Sequence, residues 1–272
     1  MKYKFNRNKN DNTLSLQQKL YLNQYYKNRN YVYFWRIFLF ISLLFLWQLL
    51  TDLKIIDSFF FSSPLKIVNL FCKMCKDLLI WKHIGITLLE TIISFIGVTL
   101  LSILSSICLF SWPKFAKITE PTLVVLNSLP KSALAPLIIV WLGSGIKTII
   151  IAGISVAIFG SIINLYAGFL QVEADKIKLI TTLGGNKKDC LFKLILPSCF
   201  PLILSNMKVN IGLCLVGVII GEFLAAKEGL GYLIIYGSQI FQLDLLIMSI
   251  VLLCIIANFF YKMIQFLEKK FL

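Results

Sequence analysis

Charge is scarce in this sequence, and the residues that usually do chemistry are scarcer. Only 15% of its 272 residues are Asp, Glu, Lys or Arg, and 58% are hydrophobic. An average soluble chain is about a quarter charged. So few charges cannot cover a water-facing surface, which excludes a soluble domain, a disordered chain and a coiled coil. There is a single histidine, His83, and the thirteen acids are scattered, which argues against a metalloenzyme and names no metal ligand or catalytic residue. Seven cysteines spread over the whole length do not make a disulfide framework. What remains is an all-α polytopic membrane protein. Its net charge of +14 then needs a membrane explanation and not a nucleic-acid one.

A helix crosses the roughly 30 Å hydrocarbon core in about 20 residues. Six runs qualify: 31–50, 84–112, 121–142, 148–170, 201–221 and roughly 240–261. They lack the alternation of barrel strands, so helices are the expected form. Tyr31, Tyr33 and Trp35 form an aromatic belt at the entrance of the first. The third is expected to be broken by Pro130, Lys131 and Pro136. With the N-terminus in the cytoplasm, eighteen of the 27 basic residues fall inside and seven outside, with Lys131 and Lys208 within spans. This bias places both termini in the cytoplasm. Residues 1–30 read as a basic, solvated, partly helical cytoplasmic tail, not as a cleavable signal. Residues 51–82 read as an extracytoplasmic segment. Within it Ser63-Pro64 starts an amphipathic helix carrying Leu65, Val68, Phe71 and Cys75 on its apolar face.

Some motifs are dismissed on their chemistry. Cys72-Lys73-Met74-Cys75 has the redox or metal spacing, but nothing nearby completes a ligand set, so the cysteines read as apolar helix positions. Gly143-Ser144-Gly145-Ile146-Lys147-Thr148 is not a phosphate loop, because Lys does not follow Gly directly. The chain is therefore expected to carry no ATPase of its own and to bind no cofactor. Glu90 and Lys208 are ionisable groups inside spans, with pairing and a transport role both open. Gly153, Ala157, Ser161 and Gly168 share a small-residue face, and Gly217 and Gly221 form a G-x-x-x-G.

The most informative stretch is 172–201. Ile177, Ile180 and Leu183 recur at helical spacing. Glu173 and Asp175 sit near the start, where the helix dipole favours acids. Gly184-Gly185 ends that helix, Asn186 caps a second with Asp189 three residues on, and Pro197 is expected to stop it before the fifth span. A helix, a glycine turn and a helix make a rigid protrusion suited to a cytoplasmic partner.

These features resemble a known family. Thr182-Leu183-Gly184-Gly185, with Leu194-Ile195-Leu196-Pro197 after it, is similar to the coupling loop of bacterial ABC-importer permeases. Leu129-Pro130-Lys131-Ser132-Ala133-Leu134-Ala135-Pro136-Leu137 and Trp141-Leu142-Gly143-Ser144-Gly145 resemble the nitrate, sulfonate and taurine subfamily. So do Gly221-Glu222-Phe223-Leu224 and Gly229-Leu230-Gly231-Tyr232. Departures accompany the match. The family's Glu-Ala-Ala falls on Lys178, Leu179 and Ile180, and a basic residue common in the second span is replaced by Glu90.

The resemblance implies a type I permease fold with six spans, its core over 83–267 and its coupling loop at about 171–197. It implies a homodimer in the bacterial cytoplasmic membrane, a cytoplasmic ATPase that uses the ATP, and an extracytoplasmic solute-binding protein. Ile180, Leu183, Gly184, Gly185 and Pro197 would couple to the ATPase. Pro130, Lys131, Pro136, Glu222, Gly229, Gly231 and Tyr232 would serve the translocation pathway. The expected cargo is a small anionic or zwitterionic solute, similar to nitrate, a sulfonate, taurine or a thiamine precursor. Lys131 would face it, or else pair with Glu90 or with carbonyls across the dimer. A polytopic membrane enzyme or a channel without an ATPase partner is the alternative class.

Overall fold

The computed structural model describes residues 15–271, and among them there are helices and no strands. The first fourteen residues of the expected tail lie outside the described residues. Two compact units divide at Leu65 and Lys66.

The first unit is dominated by α1 (Leu16–Asp52). Ser15 caps it and accepts from the Gln18 N–H, while the Gln18 side chain accepts from the Ser15 N–H. The expected tail is thus helical from Leu16 onward and continuous with the first span. At 1.5 Å per residue, 37 residues reach about 55 Å, well beyond a hydrocarbon core. Most of its large apolar side chains between Tyr31 and Leu49 are exposed, which suits lipid. Asp57 caps the single turn of α2 (Ser58–Phe61), and α3 (Pro64–Lys76) starts at the expected proline. The side turned inward on α3 carries Ile67, Leu70, Phe71 and Met74, while Leu65 and Val68 are exposed. Of the expected apolar face, Phe71 and Cys75 are half-buried and Leu65 and Val68 are open to the surroundings.

The second unit continues with α4 (Leu79–Ser111), α5 (Pro113–Ser128), α6 (Lys131–Leu142), α7 (Ile146–Leu170) and α8 (Ala174–Thr182). A helical stretch follows: α9 (Lys187–Asp189), a π-helix over Cys190–Ile195, and α10 (Leu196–Ser198). Then come α11 (Phe200–Ala225), α12 (Leu230–Gln239) and α13 (Leu243–Phe271). Five described helices are long and apolar enough to cross a membrane, and α5 with α6 make a sixth if the bent pair is counted as one.

The core forms where α7 lies between α4 and α11, with α12 and α13 packed on each other and on α11. Small residues allow this closeness. A Cβ on Gly217 would sit 2.8 Å from the Gly153 Cα and 2.9 Å from the Ala152 carbonyl. Ala157, Ser161 and Gly168 are buried on the same helix. Polar side chains then tie helices that share no hydrophobic driving force in lipid. Ser94 donates to the Ile150 carbonyl at 3.1 Å, and Ser106 to that of Ile162 at 3.2 Å. Asn206 and Asn210 of α11 both donate to the Ser161 hydroxyl of α7, at 2.6 and 2.9 Å.

Candidate functional site

Three neighbourhoods hold the residues that the sequence singles out. The first is the corner after α8. No residue of α8 is buried, and Leu183 is 78% exposed. The Gly184 N–H donates to the Thr181 carbonyl and the Gly185 N–H to that of Ile180, at 3.1 and 2.9 Å. This is a Schellman termination, and it sets Gly184 at φ +83°, where a Cβ is strained. Asn186 accepts from the Asp189 N–H, and the Asp189 carboxylate accepts from the Asn186 N–H, both at 3.0 Å. The capping box is formed as the spacing predicts. Lys193 bonds Asp189 at 2.7 Å. The bond from Lys193, helped by the Asn186 N–H, holds the Asp189 carboxyl below its ordinary range.

Pro197 does not end the helical path. The helix widens into a π turn at Cys190, the Leu196 N–H donates to the Leu191 carbonyl, and the chain stays helical to Ser198. The register shift falls where the proline lacks a donor, which absorbs the defect. The break comes at Cys199, with φ −89° and ψ 1°. Leu191, Ile195 and Cys199 pack with Phe169 of α7, which anchors this stretch.

The second neighbourhood is the bend between α5 and α6, where the axes differ by 97°. Leu129 is extended because it precedes Pro130, and Pro130 is the N-cap of α6. Pro136 lies inside α6 and does not break it, contrary to expectation. The helix α5 also begins at Pro113 and not at Pro121. Lys131 is therefore at the first turn of α6, at the break of the bent pair. Its ammonium donates to the carbonyls of Leu126 (3.1 Å) and Asn127 (2.5 Å), the orphan acceptors at the end of α5. It also lies 5.7 Å from the Phe159 ring centroid. Lys131 does not pair with Glu90. Lys208, the other intramembrane lysine, pairs with Glu268 of α13.

The third neighbourhood is the corner between α11 and α12. Glu222 is 1% exposed near the end of α11. Its carboxylate accepts from the Thr87 hydroxyl at 2.6 Å and from the backbone N–H groups of Gly231 and Tyr232. Those N–H groups open α12, so Glu222 caps that helix from the preceding one. Thr87 in turn accepts from the Leu230 N–H, and His83 Nδ1 accepts from the Gly229 N–H, both at 2.9 Å. Gly229, at φ +118°, brings the backbone against the Glu222 carboxyl, where any side chain would collide. His83, Tyr232 and Tyr236 stack in sequence, and Lys82 pairs with Glu228 at the rim.

Glu222, Gly229, Gly231 and Tyr232 are thus brought together, while Pro130 and Lys131 lie on a separate bend and Pro136 within α6. His83 and Thr87 were not singled out as site residues. A signal for them exists: His83, Thr87, Glu90, Thr91 and Ser94 recur at three- and four-residue steps within one apolar span, and all are buried.

Comparison with known proteins places this architecture. Residues 99–269 match the family described as the binding-protein-dependent transport system inner membrane component. A probable ABC transporter permease of Haemophilus influenzae is 26% identical over 85% of this chain and 93% of its own length. The formylaminopyrimidine transport permease ThiX of Halalkalibacterium halodurans is 28% identical over 71% and 76%. The taurine permease TauC of Escherichia coli is 25% identical over 79% and 80%. Among solved structures, a chain of the inward-facing methionine ABC transporter MetNI superposes with a TM-score of 0.60 at 17% identity, over 71% of this chain and 94% of that one. The chain therefore belongs to the family of binding-protein-dependent transport system inner membrane components, as a multi-pass membrane-spanning subunit of an ABC importer.

Proposed function

We propose that two copies of this chain form the translocation path for a small anionic or zwitterionic solute, with the protrusion at Gly184 as the contact for a cytoplasmic ATPase. The single observation that carries the coupling role is the Gly184 corner itself. It has a rigid double cap and an exposed Leu183, and α8 buries no residue against the rest of the chain. Leu179 and Leu183 stand exposed together on that rigid corner, which suits coverage by a partner. ATP is used by that partner, and this chain has no ATPase site. Both termini, with the Gly184 corner, lie on the cytoplasmic side, in line with the charge bias.

The bend at Pro130 and Lys131, together with Pro136 on α6, borders the path, since broken helices bring backbone dipoles to a cavity. Glu222, Gly229, Gly231 and Tyr232 serve it from behind by fixing the α11–α12 corner. The relatives named for taurine and for formylaminopyrimidine support a solute of that size and polarity.

The test is uptake by cells lacking this chain, complemented with wild type or Gly184→Val, with taurine, alkylsulfonates, nitrate and pyrimidine precursors offered in turn. Wild type should restore uptake of one of these, and the variant should insert normally but transport poorly. Normal uptake by the variant would remove the coupling role. In parallel, Leu183→Cys in a Cys-free background should react with an impermeant thiol reagent only from the cytoplasmic face. Cys190 is unsuited to that experiment, because it is buried.

A further inference from the structure

Glu90 is 1% exposed within α4, and no donor group among the described residues points at either of its carboxyl oxygens. It follows Thr87 by three residues on the same helix face, and Thr87 is bonded to Glu222. The Glu222 carboxyl is accordingly the charged group beside it. Two carboxylates side by side in a dry, low-dielectric interior cannot both be ionised without a counter-charge.

The surrounding groups supply none. On α4, Lys82 is taken by Glu228, and His83 by the Gly229 N–H. On α6, Lys131 is taken by the carbonyls of α5. On α7, Lys147 is exposed at the first turn. On α11 and α13, Lys208 and Glu268 pair with each other, and Asp244 is itself an acid. On α12, Tyr232 and Tyr236 stack on each other and offer no basic nitrogen.

We propose that Glu90 and Glu222 form an intramembrane proton-binding pair, holding one proton between them at neutral pH. Glu222 is the anion, because three donors already point at it: the Thr87 hydroxyl and the N–H groups of Gly231 and Tyr232. Glu90, with no donor of its own, carries the proton and donates it to Glu222. A metal cation fits the same place poorly, since the polar groups around Glu222 present hydrogens and not lone pairs. The bound proton fastens α4 to the α11–α12 corner, so Glu90 acts as a positioning residue through Glu222.

The test is infrared spectroscopy of the full-length chain in lipid nanodiscs, with carbon-13 glutamate to identify Glu carboxyl bands in the wild-type protein. One protonated Glu carboxyl band per chain is expected at neutral pH. It should be lost in Glu90→Gln and on raising the pH, and unchanged by a sodium titration at constant ionic strength. Absence of a protonated Glu band in the labelled wild type at neutral pH overturns the proposal, and that measurement needs no variant to fold. A band that survives in Glu90→Gln, or one that sodium displaces, overturns it too. No step reads uptake, so the result stands or falls apart from the transport reading.

Discussion

The Gly184 corner and the Glu222 corner are both turns between helices, yet opposite physics holds them. At Gly184 every bond joins residues within five positions of each other: Gly185 to Ile180, Asn186 to Asp189, Asp189 to Lys193. The corner is exposed, and water can satisfy whatever a mutation frees. At Glu222 the bonds to Thr87 and from Gly229 to His83 span more than a hundred residues. That corner is dry, and a donor that loses its acceptor there has no substitute. A surface turn is cheap to build and tolerant. A membrane-buried turn must be complete.

The sharpest way to break this contrast is Glu222→Ala. It strands the Thr87 hydroxyl and two backbone N–H groups, each costing about 1–3 kcal/mol when buried. A loss of about 3 kcal/mol or more should appear as a lowered thermal midpoint in detergent. A wild-type midpoint would show that water reaches this corner.

Next in size is Gly217→Val, which forces a side chain against the backbone of α7 at Gly153 and Ala152. Overpacking of this kind costs about 1–3 kcal/mol, and the same melting assay should register it.

Gly184→Val should cost roughly 1–2 kcal/mol, confined to the corner, because a left-handed φ opposes a β-branched residue. Nothing lies within 4 Å of a Cβ placed there, so the cost is conformational and not steric. Gly184→Asn, which tolerates that conformation, should therefore transport close to wild type where the valine variant does not.

The smallest effect is expected from Asp189→Asn at neutral pH, read as faster amide exchange at Asn186. For Asp189 itself, the carboxyl lies below its ordinary value in the folded chain. Its contribution is then fully present above the unfolded value of about 3.9, and is lost as pH falls through the lower folded one. Exchange at Asn186 should be flat from pH 5 upward after correction for intrinsic rates, and should rise in acid.

The same division decides how much of the molecule was legible beforehand. Apolar runs fix the spans, because lipid demands internal backbone bonding over a set length. The Schellman end at Gly184 and the box at Asn186 were also legible, since each needs only a few consecutive residues. Local rules failed where a partner lay far away. Pro197 stays helical because a π turn displaces the missing donor, and Leu191, Ile195 and Cys199 are held against the rest of the fold by Phe169. Lys131, by contrast, finds local partners, the free carbonyls of Leu126 and Asn127 just before the break at Leu129.

The sequence by itself therefore determined the helices, the membrane, the caps and the polar stripe from His83 to Ser94, all of which depend on spacing along one chain segment. Only the tertiary structure decided what that stripe faces. Thr87 and His83 meet the Glu222 corner because α4 and α11 both close on α7 through small residues. The partner of a buried polar group is set by which helices can approach, and that distance is written in no single segment.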